Sequence, residues 1–388
     1  MVEHRSDPPV LSLRDVPWQR GLPLILLWAV GLFQLGFIVQ FVLATPSVGK
    51  DFAGLYSASQ VLLADGPAEL LNQPHLFEVE RAISGSNLHQ AWVYPPVMLL
   101  LVAPLATLPY LPAFAAWMVV GCVPLIAMIR RLIGLPLAVA AVLPGVLHIV
   151  ATGQNGALTA SLLLGGVAAV DSKRPWLAGA LFGVTIYKPQ MCLLIPVCLL
   201  AGRCYSALAA MIVTGIVLVG ATLLLFGLDP WFGFLARLGP QMAEVLSGVV
   251  PQNRFPTVFI AVLRLTGRLE LAQMIQAGST LLAILAVWSV WRRNAGLLPR
   301  VLILAAAIPL ATPYMLEYDL VLTAFPAAFV FVRAARGEAT AVDWLALPVL
   351  WLMVPGIWFA SYFGLAIGLP LVLGVMAYAI RESRRTAS

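Results

Sequence analysis

The stretch that decides the fold runs from Tyr94 to Ile129: YPPVMLLLVAPLATLPYLPAFAAWMVVGCVPLIAMI. Its 36 residues include no Lys, Arg, Asp or Glu, and Arg130-Arg131 follow at once. Two full membrane spans with a turn between them need about 40 residues or more. The stretch therefore reads as one span over 110–129, preceded by a re-entrant or interface-lying helix over 94–109. Tyr94-Pro95-Pro96 suits a first helical turn, and Pro104 and Pro109 break the segment up.

Composition extends this reading to the whole chain. Of 388 residues, 61% are hydrophobic and 10% are charged, and mean hydropathy is +0.95. Soluble domains are about 45–50% apolar and about 25% charged, so a water-soluble globular protein is excluded. The cysteines Cys122, Cys192, Cys198 and Cys204 lie in apolar stretches with no CxxC or Cys/His cluster, which argues against a disulfide scaffold or a zinc module. Gly21–Ala44 exceeds the roughly 7–15 apolar residues of a signal-peptide core, so it reads as a retained first span. Further apolar runs fall at 110–129, 132–150, 156–170, 175–187, 189–202, 205–226, 270–291, 298–313, 318–335, 341–359 and 362–380. The expectation is an all-α integral membrane protein with about twelve spans plus juxtamembrane or re-entrant helices. It forms a single polytopic domain, 1–388.

The formal net charge of +6 raises the question of nucleic acid. The positions of the charges answer it. With residues 1–20 in the cytoplasm, 16 of the 23 Lys and Arg residues fall on the inner side, the tail 381–388 among them, as the positive-inside rule requires. The basic charge marks cytoplasmic loops, and no nucleic acid is expected. Two outer segments are long, 45–93 and 227–269, while the inner loops are short. Both termini are thus expected in the cytoplasm and the working surface outside. Trp18, Trp92, Trp231 and Trp344, near span ends, read as interface anchors.

Ionisable groups near a membrane core cost on the order of 2.5–3.5 kcal/mol by insertion scales, so they mark candidate sites. Asp51 follows the first span in Gly49-Lys50-Asp51-Phe52-Ala53-Gly54-Leu55-Tyr56. It reads either as a base that takes a proton from a substrate hydroxyl or as a loop acid balanced by Lys50. Lys188 lies in Tyr187-Lys188-Pro189 between two short apolar arms. Arms of about 13 residues rise about 20 Å against roughly 30 Å of hydrocarbon, which predicts a recessed ammonium. It would meet an anion such as a lipid phosphate, or else snorkel to the interface. Arg254 is a second candidate phosphate partner, or an ordinary loop arginine. Gln154-Asn155 form a tight turn between spans, where Asn-Gly is ordinary turn chemistry and Gln154 could still bond a sugar hydroxyl. Just before them, His148 reads as a packed interfacial histidine. Glu317 and Asp319 sit in another turn, flanking a hydroxyl or, for Asp319, capping the next helix. No third ligand with recognisable spacing accompanies them, so no metal site is predicted. Gly49-Lys50-Asp51 lacks the glycine and Ser/Thr of a phosphate loop, and GxSxG and HExxH are absent.

Several of these motifs come in a fixed order. Asp51 through Tyr56 is followed by Tyr94-Pro95-Pro96, Pro104-Leu105-Ala106, Leu108-Pro109 and Trp117. Gly153-Gln154-Asn155, Ala178-Gly179, Lys188-Pro189, Thr312-Pro313-Tyr314 and Tyr318-Asp319 complete the series. Over roughly residues 22–335 this order resembles glycosyltransferase family 87, whose better-understood members are polyprenyl-phosphate-mannose-dependent alpha-1,2-mannosyltransferases. The resemblance implies a GT-C-type fold with its active site at the outer face of the plasma membrane, here a bacterial inner membrane. It implies inverting transfer of a mannose-like hexose from a polyprenyl-phosphate donor to a glycan or glycolipid hydroxyl. It also implies Asp51 as general base, with Lys188 then at the donor phosphate. From the residues themselves, Arg254 is expected as a second phosphate partner, and Tyr56, Gln154, Asn155, Glu317 and Asp319 as sugar or acceptor contacts. Many family members carry a histidine in the late turn, where this chain has Glu317-Tyr318-Asp319. No cofactor is expected beyond the lipid-linked substrate. A polytopic transporter or flippase of lipid-linked sugars is the alternative, and a non-catalytic assembly scaffold a third reading. Against the transporter, no pair of matching halves with interrupted spans is visible.

Overall fold

The computed structural model describes residues 48–85, 92–140, 142–293 and 295–385, together with Gly21, Ile25, Trp28, Ala29, Val39 and residues 31–36. The expected N-terminal segment with Trp18, and most of the first span 21–44, lie outside the described residues. Among the described residues every regular element is a helix. Five are long and apolar enough to cross a membrane: Tyr110–Ile133, Tyr205–Phe226, Leu269–Trp291, Glu317–Arg336 and Ala341–Tyr362. Five shorter apolar helices join them: Val97–Thr107, Gly156–Asp171, Pro175–Tyr187, Pro189–Ala201 and Leu297–Ala311.

Three predicted spans do not form as drawn: 189–202 is two helices, Pro189–Cys192 and Ile195–Ala201, and in place of 362–380 the last helix is Gly368–Arg385. The third, residues 132–150, is broken into Leu137–Ala140 and Val146–Thr152. The breakers are local: Gly134 caps the preceding helix at φ 68, Pro136 and Pro144 follow, and Gly145 takes φ 79. Hydropathy alone does not register such punctuation. The segment 94–109 forms Val97–Val102 followed by a 3-10 turn, Ala103–Thr107. At 1.5 Å per residue its length is about half of the ~30 Å hydrocarbon layer. Its first turns are buried inside the protein, with Met98 and Leu99 fully enclosed, while Pro104 and residues 107–109 are exposed.

Packing sorts the long helices. The apolar window of Glu317–Arg336 is 89% buried and forms the centre, whereas that of Tyr205–Phe226 is only 11% buried and exposes Ile216 and Leu224. A soluble protein would not leave such a face in water; in a bilayer it costs nothing. That outer helix is held closely by Pro175–Val184. A Cβ on Gly179 would lie 2.2 Å from the Ala207 carbonyl oxygen, and one on Gly183 would lie 2.6 Å from Cβ of Thr214. The Gly-xxx-Gly spacing therefore permits the two backbones to touch.

Elsewhere, helix Ala341–Tyr362 starts on a capping box between Thr340 and Asp343. Asp343 also meets Arg333 at 3.0 Å and accepts from Tyr378 at 2.7 Å. Those bonds lock the last three helices together.

Candidate functional site

The site is organised around the turn Gly153-Gln154-Asn155-Gly156. It joins helix Val146–Thr152 to helix Gly156–Asp171. Gly153 has φ 80, and a Cβ there would lie 2.6 Å from Cβ of Phe52. The turn thereby packs directly on the start of helix Lys50–Ala64. The indole of Trp117 donates to the Gly153 carbonyl at 3.1 Å and holds it there. On the other side, a Cβ on Gly156 would lie 2.3 Å from the Tyr318 carbonyl oxygen. Two glycines thus let one turn touch two segments far apart in sequence.

Its two middle side chains point to opposite charges. Gln154 donates to Oδ2 of Asp51 at 3.0 Å. Asn155 accepts from Nζ of Lys188 at 2.7 Å. Lys188 also bonds Asp319 and stands over the Tyr318 ring, 5.2 Å from its centroid. Lys188 and Asp319 are each 4% exposed, so they form a closed ion pair rather than a surface. The short arms around Lys188 bury it, but its anion is a residue of this chain. The phosphate partner expected for it from sequence thus meets a packed wall.

Asp51 sits differently. It lines a cleft of about 540 Å³ with Lys50, Gln154, Tyr318, Arg237 and Arg254 among its walls. Burial pushes its pKa above the ordinary carboxylate value, while Lys50, the Gln154 bond and Arg254 pull the other way. The result is a carboxylate with a neutral hydrogen-bond partner, open to a ligand.

Arg254 comes from the 3-10 turn Gln252–Arg254. Asn253 anchors that turn to the Ser361 carbonyl at 2.8 Å. The guanidinium bonds both carboxylate oxygens of Glu317 through Nε, at 3.1 and 3.2 Å, and Oε1 again through Nη2 at 2.5 Å. Glu317 is fully buried, and it orients Arg254 without neutralising all five of the guanidinium's N–H donors. His148, 4% exposed, packs edge-on against Trp358 and lies 3.7 Å from Glu317. Among the residues lining the cleft, Lys50, Arg237 and Arg254 outnumber the anions Asp51 and Glu244.

The geometry therefore brings Asp51, Gln154, Asn155, Lys188, Arg254, Glu317 and Asp319 into one region. Tyr56 stands apart. Its hydroxyl donates to the Leu108 carbonyl at 2.7 Å and its ring packs on Phe52 and Tyr110, so it ties helix Lys50–Ala64 to the segment before the long span. Sequence reading missed Trp92 and Arg237. Trp92, by sequence an interface anchor, is 6% exposed and lines the cleft. Arg237 belongs to the amphipathic helix Asp229–Ser247. Its spacing to Glu244, which it bonds at 2.5 Å, was the available signal. Among the described residues no group of three or more His, Cys, Asp or Glu side chains is arranged to hold a metal ion.

Fold and site together define a polytopic, all-helical membrane protein with a charged cleft at one end of its helices. A model of glycosyltransferase family 87 matches residues 92–313, more than half of the chain. The chain belongs to that family and is a membrane glycosyltransferase. The matched residues include Gln154, Asn155, Lys188 and Arg254; Asp51, Glu317 and Asp319 lie beyond its ends. No curated protein and no solved structure matches the chain.

Proposed function

We propose that this transferase moves a mannose-like hexose from a polyprenyl-phosphate donor to a hydroxyl of a glycan or glycolipid, with inversion. The reaction takes place at the outer face of a bacterial plasma membrane, within a GT-C-type arrangement of membrane helices. The observation that carries this reading is Asp51, a cleft-lining carboxylate bonded by a neutral amide and faced by Lys50 and Arg254.

The donor's tail lies among apolar helices and its phosphate and sugar reach the cleft. The acceptor oxygen attacks the anomeric carbon as Asp51 takes its proton. The bond from that carbon to the phosphate oxygen breaks on the opposite side, and polyprenyl phosphate leaves with the electron pair. Asp51 then returns the proton to water. Arg254, with Lys50 beside Asp51, meets the charge growing on the leaving phosphate. A well-placed donor of this kind is commonly worth about 2.7–4 kcal/mol. Phosphate is already a good leaving group, so this chemistry requires neither metal nor cofactor. Lys188 acts at one remove: by holding Asp319 and Asn155 it positions the turn that presents Gln154 to Asp51.

The test uses purified protein in liposomes with radiolabelled polyprenyl-phosphate mannose and a lipid and glycan extract of the host. Wild type is expected to move label into a new product and release polyprenyl phosphate. Asp51→Asn is expected to lose roughly 10²–10⁴-fold of that rate, the usual contribution of a general base. Normal turnover by Asp51→Asn overturns the base assignment. Movement of unaltered donor across the bilayer, with no product, favours a flippase.

A further inference from the structure

Beside the Asp51 cleft lies a second cavity of about 330 Å³, between the 3-10 turn Pro67–Leu71 and helix Asp229–Ser247. Leu71, Gln73, Phe234, Trp92 and Arg237 contribute to its walls. Trp92 and Arg237 line both cavities, so the two share a wall. Neither flanking segment belongs to a membrane-crossing helix. The cavity is thus built from segments other than the long apolar helices.

The shared wall carries two unanswered hydrogen-bond donors. Nε1 of Trp92 and Nε of Arg237 are buried and have no partner among the described residues. A buried indole N–H normally finds an acceptor. Trp92 is 6% exposed and its ring lies edge-on to Tyr94 at 5.7 Å, so the N–H meets no solvent in the unliganded protein. Arg237 is the one charged residue in the lining of this cavity, and Glu244 already answers its charge at 2.5 Å. A polyanion therefore gains little here. A neutral ligand rich in oxygen and with apolar C–H faces matches better. A small shift of the two side chains turns their N–H groups to its oxygens, while its C–H face packs on the indole and on the Phe234 ring.

We propose that this second cavity is the acceptor subsite, and that it holds a neutral sugar ring of the acceptor glycan or glycolipid next to the hydroxyl presented to Asp51. Trp92 and Arg237 donate to that ring from the shared wall. The proposal rests on the transferase reading above, and its test separates the two.

Protein in nanodiscs, without donor, is probed by saturation-transfer difference NMR with methyl α-mannoside, mannobiose and maltose. Wild type is expected to transfer saturation to at least one of them. Trp92→Phe keeps the aromatic body and removes the N–H, and is expected to weaken binding by about tenfold, the size of one lost hydrogen bond. Leu71→Trp fills the cavity from a side chain that is 47% exposed, leaves both donors in place, and is expected to abolish binding. In the transfer assay Leu71→Trp raises the acceptor KM and leaves the donor KM unchanged. Binding of none of the saccharides by wild type, or equal binding by wild type and both variants, overturns the proposal. Variant-sensitive saccharide binding by a protein that transfers nothing refutes the transferase reading while the saccharide site stands. Transfer with an unmoved acceptor KM in Leu71→Trp refutes the subsite and leaves the transferase.

Discussion

Asp51 and Lys188 approach the same four-residue turn from opposite sides and have opposite fates. Lys188 is enclosed, with a carboxylate and an amide oxygen as partners. Asp51 faces a cleft, and its side chain accepts a hydrogen bond from the neutral Gln154. A buried charge with its counter-charge beside it does structural work, since the pair is already satisfied. A carboxylate held by a neutral donor keeps its capacity to accept a proton. Sequence alone presents both residues in the same way, as ionisable groups near a membrane.

The contrast can be broken from either side. The largest effect is expected at Asp51. Asp51→Asn removes transfer as described above, yet its melting temperature stays equal to wild type or rises. The sign follows from the raised pKa: stability from the protonated acid is present at low pH and is lost as pH climbs through that pKa. Asparagine, neutral throughout, avoids the loss. Thermal unfolding in detergent at pH 7 checks this, and a clear drop would mean that Asp51 holds the fold.

Lys188→Met is expected to do the reverse. Removing one member of a buried pair typically costs roughly 3–5 kcal/mol because the other charge is stranded. The double variant with Asp319→Leu should recover most of the loss in denaturant melts. If Lys188→Met unfolds like wild type but loses affinity for the donor, Lys188 is a phosphate ligand after all.

Gly156→Ala tests the hinge between the two sides. Its Cβ has no room beside the Tyr318 carbonyl, and overpacking of this kind costs about 1–3 kcal/mol. Because Gln154 and Asn155 then shift together, transfer and stability fall together in the same preparation. A variant that loses neither would show that the turn has slack. Gln154→Leu acts on Asp51 alone. The lost bond had favoured the carboxylate, so the acid limb of the kcat/KM profile moves to higher pH; an unmoved limb would assign that limb to another group. Tyr56→Phe is the smallest change. It costs about 1 kcal/mol for one hydrogen bond and leaves the turnover rate unchanged if Tyr56 only braces the helix.

Much of the fold was legible because helix formation in a membrane is a local matter. Tyr110–Ile133, Tyr205–Phe226 and Ala341–Tyr362 follow from runs of apolar residues with charge at one end, Arg130-Arg131, Arg203 and Asp343 respectively. The error over 132–150 has the same origin. A window that averages hydropathy does not weigh Pro136, Pro144 and Gly145, whose backbone preferences end helices whatever the surroundings. The place of Trp92 in the cleft is hidden from the sequence for a different reason. A tryptophan near the end of an apolar run meets either lipid headgroups or a protein wall, and only the neighbours decide which.

The amino-acid sequence by itself determined that the chain is helical, that it belongs in a membrane, and which polar residues stand where apolar ones are expected. Those are properties of single segments, set by composition, spacing and the cost of moving charge out of water. Tertiary structure decided who partners whom. Asp51 meets Gln154, Lys188 meets Asp319, and Arg254 meets Glu317 across 103, 131 and 63 residues. Pairing at such separations depends on how helices pack, and here on two glycines that let one turn touch both sides of the site.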